Sequence, residues 1–399
     1  MAITWLGKMV LIVVVAAIFM VFVEGVVEES SSSWRDLESK NHLRRLNKPP
    51  VKTIKSKDGD IIDCIDIHRQ PAFKHPLLKN HRIQMRPTTY PRGNGQRVSR
   101  APPQSAWQKS GTCPKGTVPI RRTRKRDKIR AVSFQSPGRR YPTASSDNSY
   151  GHENALIYTK DDVFLGAKAQ INAWNIHVEP NEFSASKITI LSSDGPDASS
   201  IQVGWIVHPL LFGDDKTRLF TYWTGDGFNR TGCFNVLCPG FVQVSKNVVL
   251  GADITPLSTY NGTQYIIDLM VYKDPKNGNW WLVYGNEPVG YWPTPLFKNL
   301  KEATLIEWGG EVLNTAMGGI HTTTQMGSGH FPYEGPGKSS YFRNILTVDQ
   351  TNIFRAPDWV VPFSDKPQCY NVRYDGSKIG KDMGYFFFFG GPGEGADCP

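Results

Sequence analysis

The sequence lacks the short motifs that mark several common enzyme classes. It contains no Gly-x-Ser-x-Gly, no His-Glu-x-x-His, no P-loop and no Gly-x-Gly-x-x-Gly between a strand and a helix. These absences argue against an α/β-hydrolase, a zincin, a P-loop nucleotidase and a Rossmann dehydrogenase. Cys-x-x-Cys pairs of the zinc-ligand kind are also absent. His321 and His330 have only Glu334 as an acidic neighbour, so we expect no metal site, and we expect no cofactor.

Long hydrophobic runs are scarce as well. The apolar run Met9–Val23 follows Lys8 at the extreme N-terminus and is shorter than a typical membrane span. Small residues and then a polar stretch come after it, which is typical of a secretory signal peptide. We therefore predict a signal peptide over residues 1–27, a secreted protein, and no stable membrane span after cleavage. A signal anchor is the alternative.

Acidic residues are fewer than basic ones, with 36 Asp and Glu against 46 Lys and Arg. The basic excess lies mostly in residues 61–130, with a dense run at 121–130. A secreted chain whose basic run lacks interleaved aromatics is not expected to bind nucleic acid. We interpret the run as an exposed processing region that proteases can reach. This divides the chain into a pro-domain over 28–130 and a main domain over 131–399.

The six cysteines are an even number, as expected in a disulfide-bonded secreted protein. Fifteen pairings are possible. The economical one joins neighbours along the chain: Cys64–Cys113, Cys233–Cys238 and Cys369–Cys398. Two N-x-[ST] sequons, at Asn229 and Asn261, predict glycosylation on the same extracellular route.

The main domain reads as many short strands. Aromatics make up 12% of the chain, glycine and proline are abundant, and no long 3.6-residue periodicity competes. We predict an all-β fold, an antiparallel β-sandwich or barrel. Asn277-Gly278 predicts a hairpin turn with positive φ at both central residues. The predicted strands cover 167–174, 186–191, 201–207, 219–224, 241–249, 264–272, 280–284, 306–312, 341–348 and 385–389.

Two of these strands place polar groups beside a glycine. In 306–312, Glu307, Gly309 and Glu311 share one face, and in 201–207, Gln202 and Gly204 share one face. A carboxylate facing a carboxamide across a glycine-floored groove could cleave a peptide bond, with the carboxylate as general base and the amide stabilising the oxyanion. The alternative is that these side chains are solvated positions on the outer face of a sheet.

Many motifs in order give the chain a resemblance to the neprosin family of plant secreted glutamic peptidases, which can cleave after proline. The likeness runs from about residue 60 to the C-terminus. In the N-terminal part it rests on 63–66, 70–73, 75–81 and 113–122, which look like the family's activation peptide. In the C-terminal part it rests on 182–184, 203–205, 217–223, 232–235, 290–293, 308–312 and 324–332.

The resemblance implies a β-sandwich with two catalytic glutamates in a cleft. Glu311 matches one of them, but Gln202 stands where the family has the other. A Gln/Glu pair cannot share a proton as two carboxylates do; it resembles the dyad of the fungal glutamic peptidases. The expected function is an acid-active endopeptidase, made as a zymogen, that cleaves after proline in the cell wall or apoplast. The expected cleft residues are Trp205, Gly204, Gly309, Glu307, Tyr291 and Trp292.

The expected partners are proline-containing protein or peptide substrates and the chain's own activation peptide, acting as an intramolecular inhibitor. The alternative is a weak or inactive relative that serves as a cell-wall or glycan-binding module, with exposed aromatics stacking on sugar rings. A glycosidase is disfavoured, because Gln202 leaves the pair without one of the two carboxylates that glycoside hydrolysis uses.

Overall fold

The computed structural model describes residues 47–93, 106–123, 151–193, 197–229, 231–318, 320–375 and 384–398. The predicted signal peptide and residues 124–130 of the basic run lie outside these described residues. Among the described residues, no helix is both long enough and apolar enough to span a membrane.

Strands dominate the described residues, and the helical elements there are short. The α-helical turn is Pro209–Phe212, and the 3-10 turns are Ile67–Arg69, Pro71–Lys74, Pro76–Leu78, Ala106–Ser110, Thr294–Leu296 and Pro332–Glu334. The strands are β1 Lys52–Lys55, β2 Ile61–Asp66, β3 Thr117–Arg121, β4 His152–Phe164, β5 Gly166–Asn172, β6 Phe183–Leu191, β7 Ser200–Val207, β8 Arg218–Thr224, β9 Cys233–Phe234, β10 Val242–Gln243, β11 Ile266–Lys273, β12 Trp280–Tyr284, β13 Glu287–Trp292, β14 Ala303–Leu313, β15 Ser340–Val348, β16 Phe354–Arg355, β17 Val361–Ser364, β18 Asn371–Arg373 and β19 Phe387–Gly390.

Two large antiparallel sheets form a sandwich, which confirms the predicted fold class. In the described residues, one sheet has seven strands in the order β17-β4-β14-β6-β7-β8-β9. The other has nine, in the order β10-β13-β12-β11-β5-β15-β19-β18 with β16 beside β15. Strand β6 therefore lies between β7 and β14, the two strands that carry Gln202 and Glu311.

The core fills the space between the two sheets. Trp205 and Trp308 from the seven-stranded sheet are fully buried in the same apolar cluster as Trp280 and Phe342 from the nine-stranded sheet. Strand alternation sends every second side chain of β7 and β14 into this core. The intervening residues, which include Gln202 and Glu311, therefore lie on the opposite face of the seven-stranded sheet.

Residues 47–93 and 106–123, here called the N-terminal segment, contain a separate three-stranded sheet in the order β1-β2-β3. The disulfide Cys64–Cys113 connects β2 to the residues before β3, and both cysteines pack with Trp107 in a small cluster of their own. The other two disulfides are Cys233–Cys238 and Cys369–Cys398, in the sandwich. All three are the pairs of chain neighbours that the sequence predicts.

Some details of the strand predictions are wrong. Only Val242–Gln243 of the predicted strand 241–249 pairs in a sheet, and β4 and β13 were missed. The hairpin joining β11 and β12 exists, but positive φ occurs at Gly278 (76°) and not at Asn277. Six residues, 274–279, separate the paired ends Lys273 and Trp280, so the turn is longer than the two-residue type that requires positive φ twice.

Candidate active site

Glu311, Lys187 and Gln202 come from three adjacent strands and share one face of the seven-stranded sheet. Glu311 pairs with Ala185 on β6, and Lys187 two residues further along β6 pairs with Gly204 on β7. Gln202 lies two residues before Gly204 on β7. Because positions two apart in a strand lie on the same face, the side chains of Glu311, Lys187 and Gln202 converge there.

The ammonium group of Lys187 links the two polar groups of this site. Its Nζ donates to Oε1 of Gln202 at 3.0 Å and contacts Oε2 of Glu311. The other carboxylate oxygen, Oε1, lies 2.7 Å from Nδ1 of His152 at the start of β4. Glu311 is thus held from both sides by groups able to carry positive charge.

The site is buried. Glu311 is 2% exposed, Gln202 4% and Glu307 7%. The alternative that these are solvated positions on an outer sheet face is therefore wrong. Burial removes the competing hydrogen bonds of bulk water, so the charge of Glu311 depends on the groups that contact it.

The two glycines of the predicted groove lie on either side of Lys187. Gly309 pairs with Lys187 from β14, and Gly204 pairs with it from β7. A Cβ at Gly204 would lie 2.0 Å from the carbonyl oxygen of Ser186, and one at Gly309 would lie 2.4 Å from Cβ of Leu156. Both positions therefore require glycine, and the lack of side chains there leaves room for the long side chain of Lys187.

The contact with Lys187 also fixes which way the Gln202 amide points. An ammonium group only donates, so the amide atom facing it is the oxygen Oε1. The amide nitrogen Nε2 is buried and makes no hydrogen bond to any part of the chain that the structure describes. This donor is therefore available to an acceptor atom of a ligand.

Trp205, Tyr291 and Trp292 do not lie with these groups. Trp205 is on the core face of β7, where its Nε1 donates to the carbonyl of Asn172 at 2.9 Å. Tyr291 and Trp292 belong to β13 in the other sheet and are fully buried. The expectation that these three residues line the cleft beside Glu311 is therefore wrong. Strand alternation turns Trp205 toward the core, and Tyr291 and Trp292 lie in the other sheet.

Lys187 and His152 are the site residues that sequence reasoning missed. Lys187 occupies the middle of a strand whose other residues are apolar or small, which is an unusual place for a lysine and the one available signal. His152 carries no such signal, because β4 was not recognised as a strand. Neither residue falls in the motifs on which the resemblance rests.

Other buried carboxylates have structural partners. Glu182 accepts hydrogen bonds from the backbone and hydroxyl of Thr315 and from the hydroxyls of Thr322 and Thr324, which ties the loop after β14 to β6. Burial raises the pKa of Glu153, while the adjacent His321 opposes that shift. His321 lies beside Cys369 and Cys398. Since these two sulfurs form a disulfide, they offer no thiolate to a metal.

The N-terminal segment docks on the sandwich at an edge of the same face. Asp60 forms an ion pair with Arg218 of β8, with Nη1 2.7 Å from Oδ2. Arg218 pairs with Ile206, which pairs with Ala185, which pairs with Glu311, so all four lie in one row across the sheet. The residues that follow Asp60 continue to the other sheet, where Tyr291 accepts from Gln84 N at 2.9 Å.

Family models match both parts of this arrangement. A model described as Neprosin matches residues 180–392, which is more than half of the chain. A model described as Neprosin activation peptide matches residues 53–159. The chain belongs to the Neprosin family. The activation-peptide match includes the docked N-terminal segment and extends into β4, beyond the boundary near residue 130 that the basic run suggested.

Solved structures give weaker similarities. A Scytalido-glutamic peptidase with a peptide-based transition-state analogue is 9% identical over 60% of this chain and 97% of that chain, with a TM-score of 0.31. SCP-B, described as a member of the Eqolisin family of peptidases in complex with the tripeptide Ala-Ile-His, is 8% identical with the same coverage and TM-score. A homodimeric agglutinin from chicken liver is 11% identical over 40% of this chain and 93% of that chain, with a TM-score of 0.23.

Proposed function

We propose that the chain is the precursor of a glutamic endopeptidase in which Glu311 is the general base and Gln202 is the oxyanion donor. The ionised Glu311 takes a proton from a water molecule as that water attacks the scissile carbonyl carbon. The Nε2 amide of Gln202 donates to the developing oxyanion. Glu311 then gives its proton to the amide nitrogen of the leaving group as the C–N bond breaks, which restores the carboxylate.

One observation supports this proposal most strongly: a carboxylate and a carboxamide that are far apart in the chain are buried together and contact the same Lys187 nitrogen. The two groups suffice for the chemistry, since one carboxylate can act first as base and then as acid. Membership of the Neprosin family agrees with an assignment to peptide hydrolysis.

We further propose that the N-terminal segment inhibits the precursor until it is removed. The Asp60–Arg218 pair anchors it at the face that carries Glu311. Hydrogen bonds between the Gln70 side chain and the backbone of Gln243 anchor it separately to β10 of the nine-stranded sheet. The basic run at 121–130 begins inside this segment, where Arg121 ends β3 and pairs with Asp60, and the rest of the run would be its processing region. The boundary near residue 130 between the pro-domain and the peptidase domain is part of this proposal.

The finer features of the activity follow the family resemblance. They are cleavage after proline, activity at acidic pH, secretion to the cell wall or apoplast, and glycosylation at Asn229 and Asn261. Both asparagines are exposed in the sandwich. Acid activity is also consistent with the site itself, because Lys187 favours the ionised form of Glu311 and so keeps the base available at low pH.

The test begins with acid incubation of the purified precursor, followed by N-terminal sequencing of the products. Matched peptides with and without proline are then assayed from pH 2 to 7, which is about the range over which carboxylates titrate. We expect cleavage after proline, absent in Glu311→Gln, and processing of the precursor near 121–130. Equal cleavage by wild type and Glu311→Gln would overturn the assignment. A precursor that cleaves nothing but binds polysaccharide on a glycan array would instead support the binding-module alternative.

A further inference from the structure

Lys187 occupies the centre of the site but has no part in the reaction as written above. It is 3% exposed and lies between two glycines on the neighbouring strands. Burying a lysine without need is costly, and a buried ammonium persists only where charge and hydrogen-bond partners compensate it. Its ammonium group contacts the two groups to which the reaction is assigned.

We propose that Lys187 is a positioning residue of the peptidase: it orients the Gln202 amide so that Nε2 is the group presented to the oxyanion, and it keeps Glu311 ionised as the base. This inference rests on the proposed function and specifies how that site works without a second carboxylate.

The orientation argument begins with the symmetry of a carboxamide. Its oxygen and nitrogen ends have nearly the same shape, so a glutamine can occupy a site in either of two flipped states. Only one state presents a donor to an oxyanion. The three-donor ammonium of Lys187, 3.0 Å from Oε1, stabilises that state and would repel the flipped one, in which two N–H groups would face it.

The charge argument concerns the carboxylate. Lys187 from β6 and His152 from β4 contact Glu311, and Glu307 shares its face on β14. Arg218 of β8 lies further along the same row of paired residues. On the other side of Glu311, Asn154 of β4 donates to the carboxylate of Asp365. Lys187 is the cation in direct contact, so its removal makes protonation of Glu311 easier.

The experiment compares Lys187→Met, Lys187→Gln and Lys187→Arg in the processed protein obtained from the full-length precursor. Lys187→Met removes both the charge and the hydrogen bond, Lys187→Gln restores a donor without charge, and Lys187→Arg restores both. The matched control is Lys168→Met, which removes a comparably buried lysine that pairs with Asp268 in the other sheet. Thermal unfolding reports on folding for every variant.

For Lys187→Met we expect kcat to fall by about 10- to 100-fold with little change in KM, which is less than the full loss of an oxyanion donor. The acidic limb of the kcat profile should move to higher pH by about one unit or more, because the base is then protonated more easily. Lys187→Arg should recover most of kcat and the original limb. Lys187→Gln should recover part of kcat but keep the shifted limb, and Lys168→Met should leave both unchanged.

A folded Lys187→Met or Lys187→Gln variant with wild-type kcat and pH profile would overturn the inference. A variant more active than wild type would also overturn it, because Lys187 would then inhibit the reaction. Failure of the proposed function is detected separately. If wild type cleaves nothing, calorimetry with a peptide carrying a tetrahedral hydroxymethylene group in place of the scissile amide still reports on Gln202. Preferential binding over the planar peptide, lost in Lys187→Met, would support the inference; no preference in wild type would overturn it.

Discussion

Asp60 and Arg218 form a buried ion pair that joins the N-terminal segment to the seven-stranded sheet, with Nη1 2.7 Å from Oδ2. Burial acts to raise the pKa of Asp60, but the charges of Arg218 and Arg121 outweigh it and hold that pKa below its ordinary value. The pair therefore contributes stability above the ordinary pKa of an aspartate. That contribution is lost as the pH falls through the lowered pKa of the folded precursor.

Asp60→Asn should loosen the docked segment at neutral pH. Removing one partner leaves Arg218 with Asp214 and the carbonyl of Gly251, and should cost on the order of 3 kcal/mol, as for other broken buried pairs. We expect limited proteolysis at pH 7 to release residues 47–123 faster than in wild type, and the difference to shrink near pH 2.

The matched control is Asp63→Asn, which breaks a pair with Arg122 that lies wholly within the N-terminal segment. It should destabilise the segment itself without the same effect on docking. Release at the wild-type rate in Asp60→Asn would show that the Arg218 contact does not anchor the segment.

The contribution of Asp253 to stability should change with pH in the opposite direction to that of Asp60. Burial and the neighbouring carboxyl of Asp58 raise the pKa of Asp253 to about 6. A raised carboxyl pKa means that the folded precursor binds a proton more tightly than the unfolded chain, so stability falls as the pH rises from about 4 to about 6. Asp253→Asn should remove this loss and stabilise the precursor at pH 7 by about 1 kcal/mol, after discounting for solvent screening.

The measurement is chemical unfolding of the precursor at pH 4 and pH 7. We expect wild type and Asp253→Asn to agree at pH 4 and to separate at pH 7, with the variant the more stable. A variant that is less stable at pH 7 would mean that the ionised Asp253 is stabilised by Arg218 more than it is destabilised by Asp58.

The sequence predicts which face of a strand a side chain occupies, as for β7, but not which sheet a strand belongs to, as for β13. Alternation within 201–207 and 306–312 placed Gln202 and Glu311 opposite the core, because the two-residue period is a local property of a strand. Strand order is not local. Nothing in either strand says that β6 lies between them, so Lys187 was missed, and nothing in Tyr291 or Trp292 says that β13 belongs to the other sheet.

Gly204→Ala tests the packing that makes room for Lys187. The added Cβ would lie 2.0 Å from the carbonyl oxygen of Ser186, so β6 and β7 must separate at the point where they position Lys187 and Gln202. We expect a loss of stability of about 1–3 kcal/mol, the usual cost of overpacking, together with lower activity. Thermal unfolding and peptide cleavage measure the two effects. Unchanged values for both would contradict the close approach of these strands.

Gln202→Glu tests the proposed division of roles most directly. A second carboxylate would give Lys187 two acidic partners, and one of the pair would be protonated at low pH because like charges so close resist ionising together. The protonated carboxyl group introduced at position 202 can donate to the oxyanion in place of the amide. We therefore expect cleavage at acidic pH to be retained or raised, and to decline toward neutral pH as the second carboxyl ionises and loses its donor.

Gln202→Leu is the matched variant, similar in size but without any donor. Its kcat should fall by about 10²–10³-fold at every pH, as when an oxyanion donor is removed from other hydrolases. The kcat profiles of both variants from pH 2 to 7 (about the range of carboxylate titration), normalised to folded protein, make the comparison. If Gln202→Leu cleaves as fast as wild type, the oxyanion is stabilised elsewhere. If Gln202→Glu instead gains activity toward neutral pH, the residue acts as a second base, since only an ionised carboxylate becomes more effective as protons are removed.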